Sequence, residues 1–220
     1  MIKKINTQNC VKENLEIELE NKKDYFEVEN VVRNSFWNVY KPGCSEHFVL
    51  HQMRNDENFV RQLDFILKLN NKVIGQTAFY KTFITLESGQ KLEVLTLGPI
   101  CILPGFQKNG YGKILLDFAL DVATVEGFGA VVLEGDVNFY GKCGFEFARN
   151  FNIKYHDLPD DVDDSFFLCR ELIKGYLPKQ KSEYQTPDVY MVSEEDVENF
   201  DKNFPLKEKK VLPGQIFKSI

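Results

Sequence analysis

Leu15, Ile17 and Leu19 alternate with Glu16, Glu18 and Glu20. That period of two predicts a half-exposed strand over 14–20. Phe26, Val28, Val31, Val32, Ser35 and Phe36 fall near helical spacing and predict a helix over 23–37, which Lys41-Pro42-Gly43 breaks. A second helix is predicted over 46–59. Alternation returns at Leu63, Phe65, Leu67 and Leu69, and Asn70-Asn71 predicts a hairpin turn into a strand over 73–85. Ser88-Gly89 marks a further turn.

Residues 92–103 are almost wholly apolar, as expected of a strand covered on both faces. The next helix is the most legible element. Lys113, Asp117, Asp121 and Thr124 form one polar stripe at i, i+4, i+8 and i+11, and the rest of 114–125 is apolar. Gly127 and Gly129 end it. A short buried strand is predicted over 130–133. Asp136 is placed to cap a short helix through Cys143, with Gly144 at its terminating position. Two closing strands are predicted over 145–155 and 165–172. Beyond Gly175 the texture changes, with Pro178, Pro187, Pro205 and Pro213 as punctuation. A strand over 189–192 and a helix over 194–200, capped from Ser193, are predicted there. The division expected is a main domain over 1–174 with an extension over 175–220 packed on it.

Charge and cysteine usage narrow the function classes. The 220 residues carry 27 Lys plus Arg and 33 Asp plus Glu, a formal net charge of -6. Such a chain lacks a nucleic-acid footprint and draws cationic partners weakly toward it. Its five cysteines are odd in number and include no C-x-x-C pair, which argues against a disulfide framework or a zinc knuckle. The N-terminus has no apolar signal core, and no apolar run approaches the ~20 residues of a membrane span. The expectation is a reduced, cytoplasmic protein with no membrane partner.

The chemistry concentrates at 97–145. The apolar strand runs into Gln107-Lys108-Asn109-Gly110-Tyr111-Gly112, and the patterned helix follows at once. A glycine-bearing loop at a helix N-terminus offers backbone N–H groups and the positive end of the helix dipole, which suit a phosphate. Lys108 and Lys113 add positive charge beside it. A P-loop is excluded because Gly112-Lys113 is followed by Ile114 and position 107 is Gln. A dinucleotide fingerprint is excluded because Leu115 stands where its third glycine belongs. Upstream, Gly98-Pro99 lies inside the apolar strand. Proline cannot donate to a ladder, so the strand is expected to bulge or part from a neighbour there. Downstream, Tyr140 begins Tyr-x-x-x-Gly-Phe, ending at Gly144-Phe145.

Gln-x-x-Gly-x-Gly and Tyr-x-x-x-Gly-Phe, in this order and context, resemble the GNAT acetyltransferase superfamily. The resemblance is sharp over 97–145 and looser from about residue 15. Gly135-Asp136, Phe139-Tyr140, Gly144-Phe145 and the run 164–177 are similar to a subgroup of bacterial predicted N-acetyltransferases. It implies an α+β fold with a twisted mixed sheet, mostly antiparallel, one parallel pair and helices on both faces. It implies acetyl-CoA as co-substrate, its pyrophosphate on Gln107, Lys108, Asn109, Gly110, Tyr111, Gly112 and Lys113. The pantetheine arm would pair with the backbone of Ile100, Cys101 and Ile102. Tyr140 would be the general acid toward the departing thiolate. Gln107 departs from the arginine that many members carry, which weakens a side-chain contact to phosphate.

The activity implied is acetyl transfer to a primary amine of a small molecule or a protein. The alternative is a non-catalytic acyl-CoA-binding sensor on the same fold; a homodimer is left open. No general base stands out among Glu46, His47, His51, Glu93 and Glu134. A zinc site is not expected at His47 and His51, because Phe48 occupies the position of the glutamate that such a helix motif needs. Phe36, Trp37 and Tyr40 read either as core or as an acceptor wall.

Overall fold

A computed structural model of the chain describes residues 3–6 and 14–216; Cys10 lies outside the described residues. The strands are β1 (Lys3–Asn6), β2 (Asn14–Leu19), β3 (Phe65–Leu69), β4 (Lys72–Leu86), β5 (Lys91–Ile102), β6 (Ala130–Glu134), β7 (Glu146–Phe147), β8 (Ile153–Tyr155), β9 (Phe167–Glu171) and β10 (Ser182–Tyr184). The helices are α1 (Tyr25–Phe36), α2 (Glu46–Met53), α3 (Tyr111–Val125), α4 (Val137–Tyr140) and α5 (Glu194–Asp201). The sheet runs β1-β2-β3-β4-β5-β6-β9-β7, and β10 pairs with both β4 and β8. Only β5–β6 and β8–β10 are parallel among these pairs.

Strand β4 organises the sheet. Its first half pairs with β3, from Lys72↔Leu69 to Thr77↔Phe65, and its far end pairs with β10, from Ile84↔Tyr184 to Leu86↔Ser182. The segment beyond residue 175 therefore supplies a strand to the sheet, and α5 packs on the α1–α2 layer.

Helices cover both faces. Leu115, Leu116, Phe118, Ala119 and Leu120 of α3 are buried against Phe79, Leu95, Leu97 and Leu133. On the opposite face, Val28, Val32, Leu50 and Met53 cover Ile66, Ala78, Tyr80 and Cys101. That second face continues past the helices as Ile84, Val94, Val132, Phe167 and Tyr184. Each buried Val, Leu, Ile, Phe or Met side chain among these contributes about 1.5–3 kcal/mol.

Several predicted elements are shorter or broken. Helix α2 stops at Met53, and the run 145–155 is interrupted by a 3-10 turn over Ala148–Phe151 that ends at Asn152 with φ 59°. The predicted strand over 189–192 is a 3-10 turn over Asp188–Tyr190, while β10 went unpredicted. Phe26, expected on the core stripe, is 57% exposed and stacks on Phe204 of the tail, ring centroids 5.1 Å apart.

The tail is latched by buried charge. Arg33, 1% exposed, donates to both carboxylate oxygens of Asp201 (Nε–Oδ1 2.5 Å, Nη2–Oδ2 2.9 Å) and to the Pro205 carbonyl (3.1 Å). His47 Nε2 lies 3.2 Å from the same Asp201 Oδ1, its ring packed by Phe200 and Phe204. Burial holds the His47 pKa down to about 4, against the pull of Asp201. An unfolded histidine titrates near 6.5, so the neutral ring contributes its full stability above that pH. That contribution is lost as pH falls from about 6.5 toward about 4, with a slope of up to about 1.4 kcal/mol per pH unit. Denaturant unfolding should show this component as the difference in pH dependence between wild type and His47→Gln across the window.

Candidate active site

The strands part where the sequence places Gly98-Pro99. Strand β6 pairs with β5 only at Leu95↔Val131 and Thr96↔Val132. Strand β5 continues along β4 to Ile102, but Thr77 and Phe79 face Ile100 and Leu97, one extra residue on the β5 side. This is the expected bulge, and the Gly98–Pro99 peptide within it is cis. From Leu97 to Ile102 the edge of β5 that faced β6 has no strand partner. The side chains of Cys101 and Ile102 are core, so it is their backbone that borders the gap. The Gly98 carbonyl accepts a hydrogen bond from Tyr190 Oη (3.0 Å).

The loop into α3 is tied back on itself. Gln107 Nε2 donates to the Ile102 carbonyl (2.9 Å), and Asn109 Nδ2 donates to the carbonyls of Phe106 (3.2 Å) and Gln107 (3.1 Å). Gln107 therefore holds the loop to the end of β5. Gly110 caps α3 at φ 83°, a conformation that favours glycine, and the first-turn amides of α3 lack intrahelical acceptors. At Gly112 a Cβ would lie 3.3 Å from Phe139 Cζ, so the missing side chain lets α3 and α4 approach. The Lys113 ammonium turns along the helix to Asp117 (2.5 Å) and not toward the loop. Lys108 stands within the loop at φ 64°.

Tyr140 ends α4, whose start is capped by Asp136 accepting from Asn138 N (2.9 Å). Its ring packs edge-on against Phe139 and Phe145, at centroid distances of 4.9 and 5.8 Å. A Cβ at Gly135 would sit 2.3 Å from Tyr140 Cε2, so that glycine makes room for the ring. The Tyr140 hydroxyl has no hydrogen-bond partner among the described residues. Burial, with Tyr40 nearby, raises its pKa above the usual tyrosine value. Tyr40 therefore approaches α4, while Trp37 turns to the tail and donates from Nε1 to the Glu208 carbonyl (3.0 Å).

The candidate bases separate clearly. His47 belongs to the Arg33–Asp201 latch, and His51 Nδ1 lies 2.9 Å from Glu29. The Glu46 carboxylate accepts from Ser45 N (2.9 Å), and burial raises its pKa. Glu93 is exposed, at the far end of β5 from the bulge. Glu134 ends β6 on the face opposite α3, and its Oε1 accepts from Tyr155 Oη (2.8 Å) and Thr186 Oγ1 (3.1 Å). Tyr155, Thr186 and Tyr190 escaped the sequence reading, because only long-range pairing brings them to this edge. Among the described residues no group of three His, Cys, Asp or Glu side chains is placed to hold a metal. Nor is any helix among them long and apolar enough to cross a membrane.

Comparison with known proteins gives the architecture its family. No curated protein matches the chain in sequence. A GNAT family N-acetyltransferase from Escherichia coli (YhbS), solved in complex with CoA, superposes with a TM-score of 0.69 at 21% identity, over 86% of this chain and 97% of that one. A GNAT family acetyltransferase from Brucella melitensis, solved with acetyl-CoA, gives 0.61 at 21% identity, over 80% and 97%. The ribosomal-protein-S18-alanine N-acetyltransferase of Escherichia coli gives 0.51 at 17% identity, over 73% and 96%. These likenesses are of fold. The sequence itself matches the Acetyltransferase (GNAT) family over residues 30–145, more than half of the chain, and the protein therefore belongs to that family.

Proposed function

We propose that the protein transfers the acetyl group of acetyl-CoA to a primary amine. The observation that carries this reading is the open edge of β5 over 97–102, which leads from the loop at α3 to the bulge. The loop suits a pyrophosphate: its carbonyls are tied back, Gly110 and Gly112 keep it low, and the first-turn amides of α3 provide donors. The backbone of Ile100, Cys101 and Ile102 borders the gap, where an amide-bearing arm would find partners. Acetyl-CoA supplies an activated thioester; the protein holds it and orients the amine against it. Tyr140 carries a proton on an unpartnered hydroxyl and delivers it to the thiolate as the intermediate collapses. That hydroxyl favours turnover over a binding-only role. The acceptor is a small-molecule or protein amine. The buried, unpaired Cys44, Cys101, Cys143 and Cys169 support a reducing, cytoplasmic setting.

Thiol release from acetyl-CoA against a panel of primary amines tests the activity, and calorimetry with CoA tests the site. Gly112→Val would press Phe139 and crowd the loop. The variant is expected to stay folded and lose CoA affinity by at least roughly tenfold, about 1.4 kcal/mol. Unchanged affinity in the folded variant would remove the loop from the binding site.

A further inference from the structure

Cys44 Sγ lies 3.5 Å from His47 Nδ1, and His47 Nε2 lies 3.2 Å from Asp201 Oδ1. A thiol, an imidazole and a carboxylate thus stand in line, in the order of nucleophile, base and orienting group. An ionised carboxylate only accepts, so Nε2 carries the ring hydrogen and Nδ1 is left bare toward the sulfur. The approach of Nε2 to Asp201 is oblique and makes no full hydrogen bond. The other acceptor beside the thiol is the Arg33 carbonyl, at 3.6 Å. Among the described cysteines only Cys44 has an imidazole beside its sulfur. Cys101, Cys143 and Cys169 are packed in the apolar layers of the sheet.

The end of the extension closes over this group. Cys44 is 5% exposed and His47 fully buried. Phe200 and Phe204 pack on the imidazole, each with its centroid 5.4 Å away. The Lys209 stem lies over Gly43, where a Cβ would sit 3.2 Å from Lys209 Cε, and its ammonium reaches Glu198 (2.9 Å). Burial pushes the Cys44 thiol pKa up and the His47 pKa down, so both stay neutral under this cover. The charged groups that face the pair are Arg33 from α1, Glu46 and His51 from α2, Asp201 from α5 and Lys207 beyond it. In water the ring would titrate near 6.5 and the thiol near about 8.5, close enough to share a proton at neutral pH. The cover itself is lightly held. Between residues 194 and 216 only Val197 and Phe204 are buried apolar side chains, so this segment can lift while the sheet stays folded.

We propose that Cys44 is a reactive thiol gated by residues 194–209, silent while they are seated and open to exchange with a small disulfide once they lift. In that exchange the Cys44 S–H bond breaks and His47 Nδ1 takes the proton. The thiolate attacks one sulfur of the disulfide, and the old S–S bond breaks as the new one forms. The departing thiolate recovers its proton from His47. The adduct then fills the space beneath Phe200 and Lys209, so the cover cannot reseat. Oxidising conditions are thereby converted into a released C-terminal segment.

Cystamine, a small disulfide, provides the probe. The full-length protein is sampled over time, and each cysteine-bearing peptide is weighed. Asp201→Asn should speed the labelling of Cys44 by roughly 10–100-fold over wild type, the factor expected from losing a charge-assisted hydrogen bond when opening limits the rate. Cys101, Cys143 and Cys169 should stay unmodified in both proteins, which separates lifting of the cover from unfolding. In the Asp201→Asn background, His47→Phe keeps a ring between Phe200 and Phe204 but accepts no proton. The pH midpoint of Cys44 labelling should then rise toward the ordinary thiol value of about 8.5. Labelling should also shift the emission of Trp37 to the red, and dithiothreitol should reverse the shift. Trp37 is the single tryptophan, and its Nε1 donates to the Glu208 carbonyl under the seated cover. If Asp201→Asn does not fold, Lys209→Ala uncovers Gly43 without touching the buried charge and should speed Cys44 severalfold with the same selectivity. Equal Cys44 rates in wild type and the folded cover variant overturn the proposal. So do joint labelling of the other three cysteines, an unmoved midpoint in the double variant, or unshifted emission after labelling.

Discussion

Tyr140→Phe is expected to lower kcat by roughly 10²–10⁴-fold, the range for one acid–base group. The substitution isolates the hydroxyl. The ring packs on Phe139, Phe145 and the space left by Gly135, and phenylalanine keeps all of those contacts. The hydroxyl has no partner to lose among the described residues, so stability should change little. The KM for acetyl-CoA should also move little, because the proton is needed only as the intermediate collapses. Burial raises the Tyr140 pKa, so the group stays protonated to well beyond neutral pH and should add no alkaline limb below the usual tyrosine value of about 10. Steady-state kinetics with the best amine of the panel provides the check. Wild-type turnover by the variant at every pH would leave Tyr140 a packing residue.

Asp201→Ala should be the most damaging substitution for stability. It strips Arg33 of its only carboxylate partner among the described residues while the guanidinium stays buried, packed 4.2 Å from the Trp37 ring centroid and bonded to the Pro205 carbonyl. Breaking a buried pair in this way costs about 3–5 kcal/mol, more than the pair itself is worth, because the remaining charge is uncompensated. Replacing both partners by apolar residues of similar size, as in Arg33→Met with Asp201→Leu, should therefore restore much of the loss. Denaturant unfolding of the single and double variants measures the difference. A single variant within about 0.5 kcal/mol of wild type, the range of an ordinary surface change, would mean that the latch is solvated.

What could be read from sequence follows the range of the forces involved. Helix α3 was legible because Lys113, Asp117, Asp121 and Thr124 sit on one stripe and the rest is apolar; nothing distant is needed to see it. The bulge was legible because Pro99 lacks an amide hydrogen wherever it lies. By contrast, Ser182-Glu183-Tyr184 carries no alternation and becomes β10 only by pairing with β4 and β8. Val189-Tyr190-Met191-Val192 has strand propensity, but Pro187 starts a 3-10 turn, with Tyr190 N donating to the Pro187 carbonyl and Met191 N to Asp188. Val189, Tyr190 and Val192 then pack against the layer beside α1 and α2, while Met191 stays exposed. Glu134 resembled any other strand-end glutamate, since the hydroxyls that distinguish it are 21 and 52 residues away in sequence. His47 and His51 looked like a pair on one helix face, and each found an acidic partner on a different element.

The division of the β4 edge between β3 and β10 also sets an order of birth. A chain emerging from the ribosome can pair β3 with β4 early, since Asn70-Asn71 joins them directly. The far half of β4 must wait for Ser182–Tyr184, and Arg33 must wait for Asp201. Until then the nascent protein presents an unpaired strand edge at Ile84–Leu86 and a buried-type cation without its anion. Such an edge is a template for pairing with other chains. A premature stop between Phe145 and Ser182 would thus release a product that carries the glycine loop and Tyr140 but invites aggregation and disposal, so that completion of synthesis is itself the gate to a closed sheet edge.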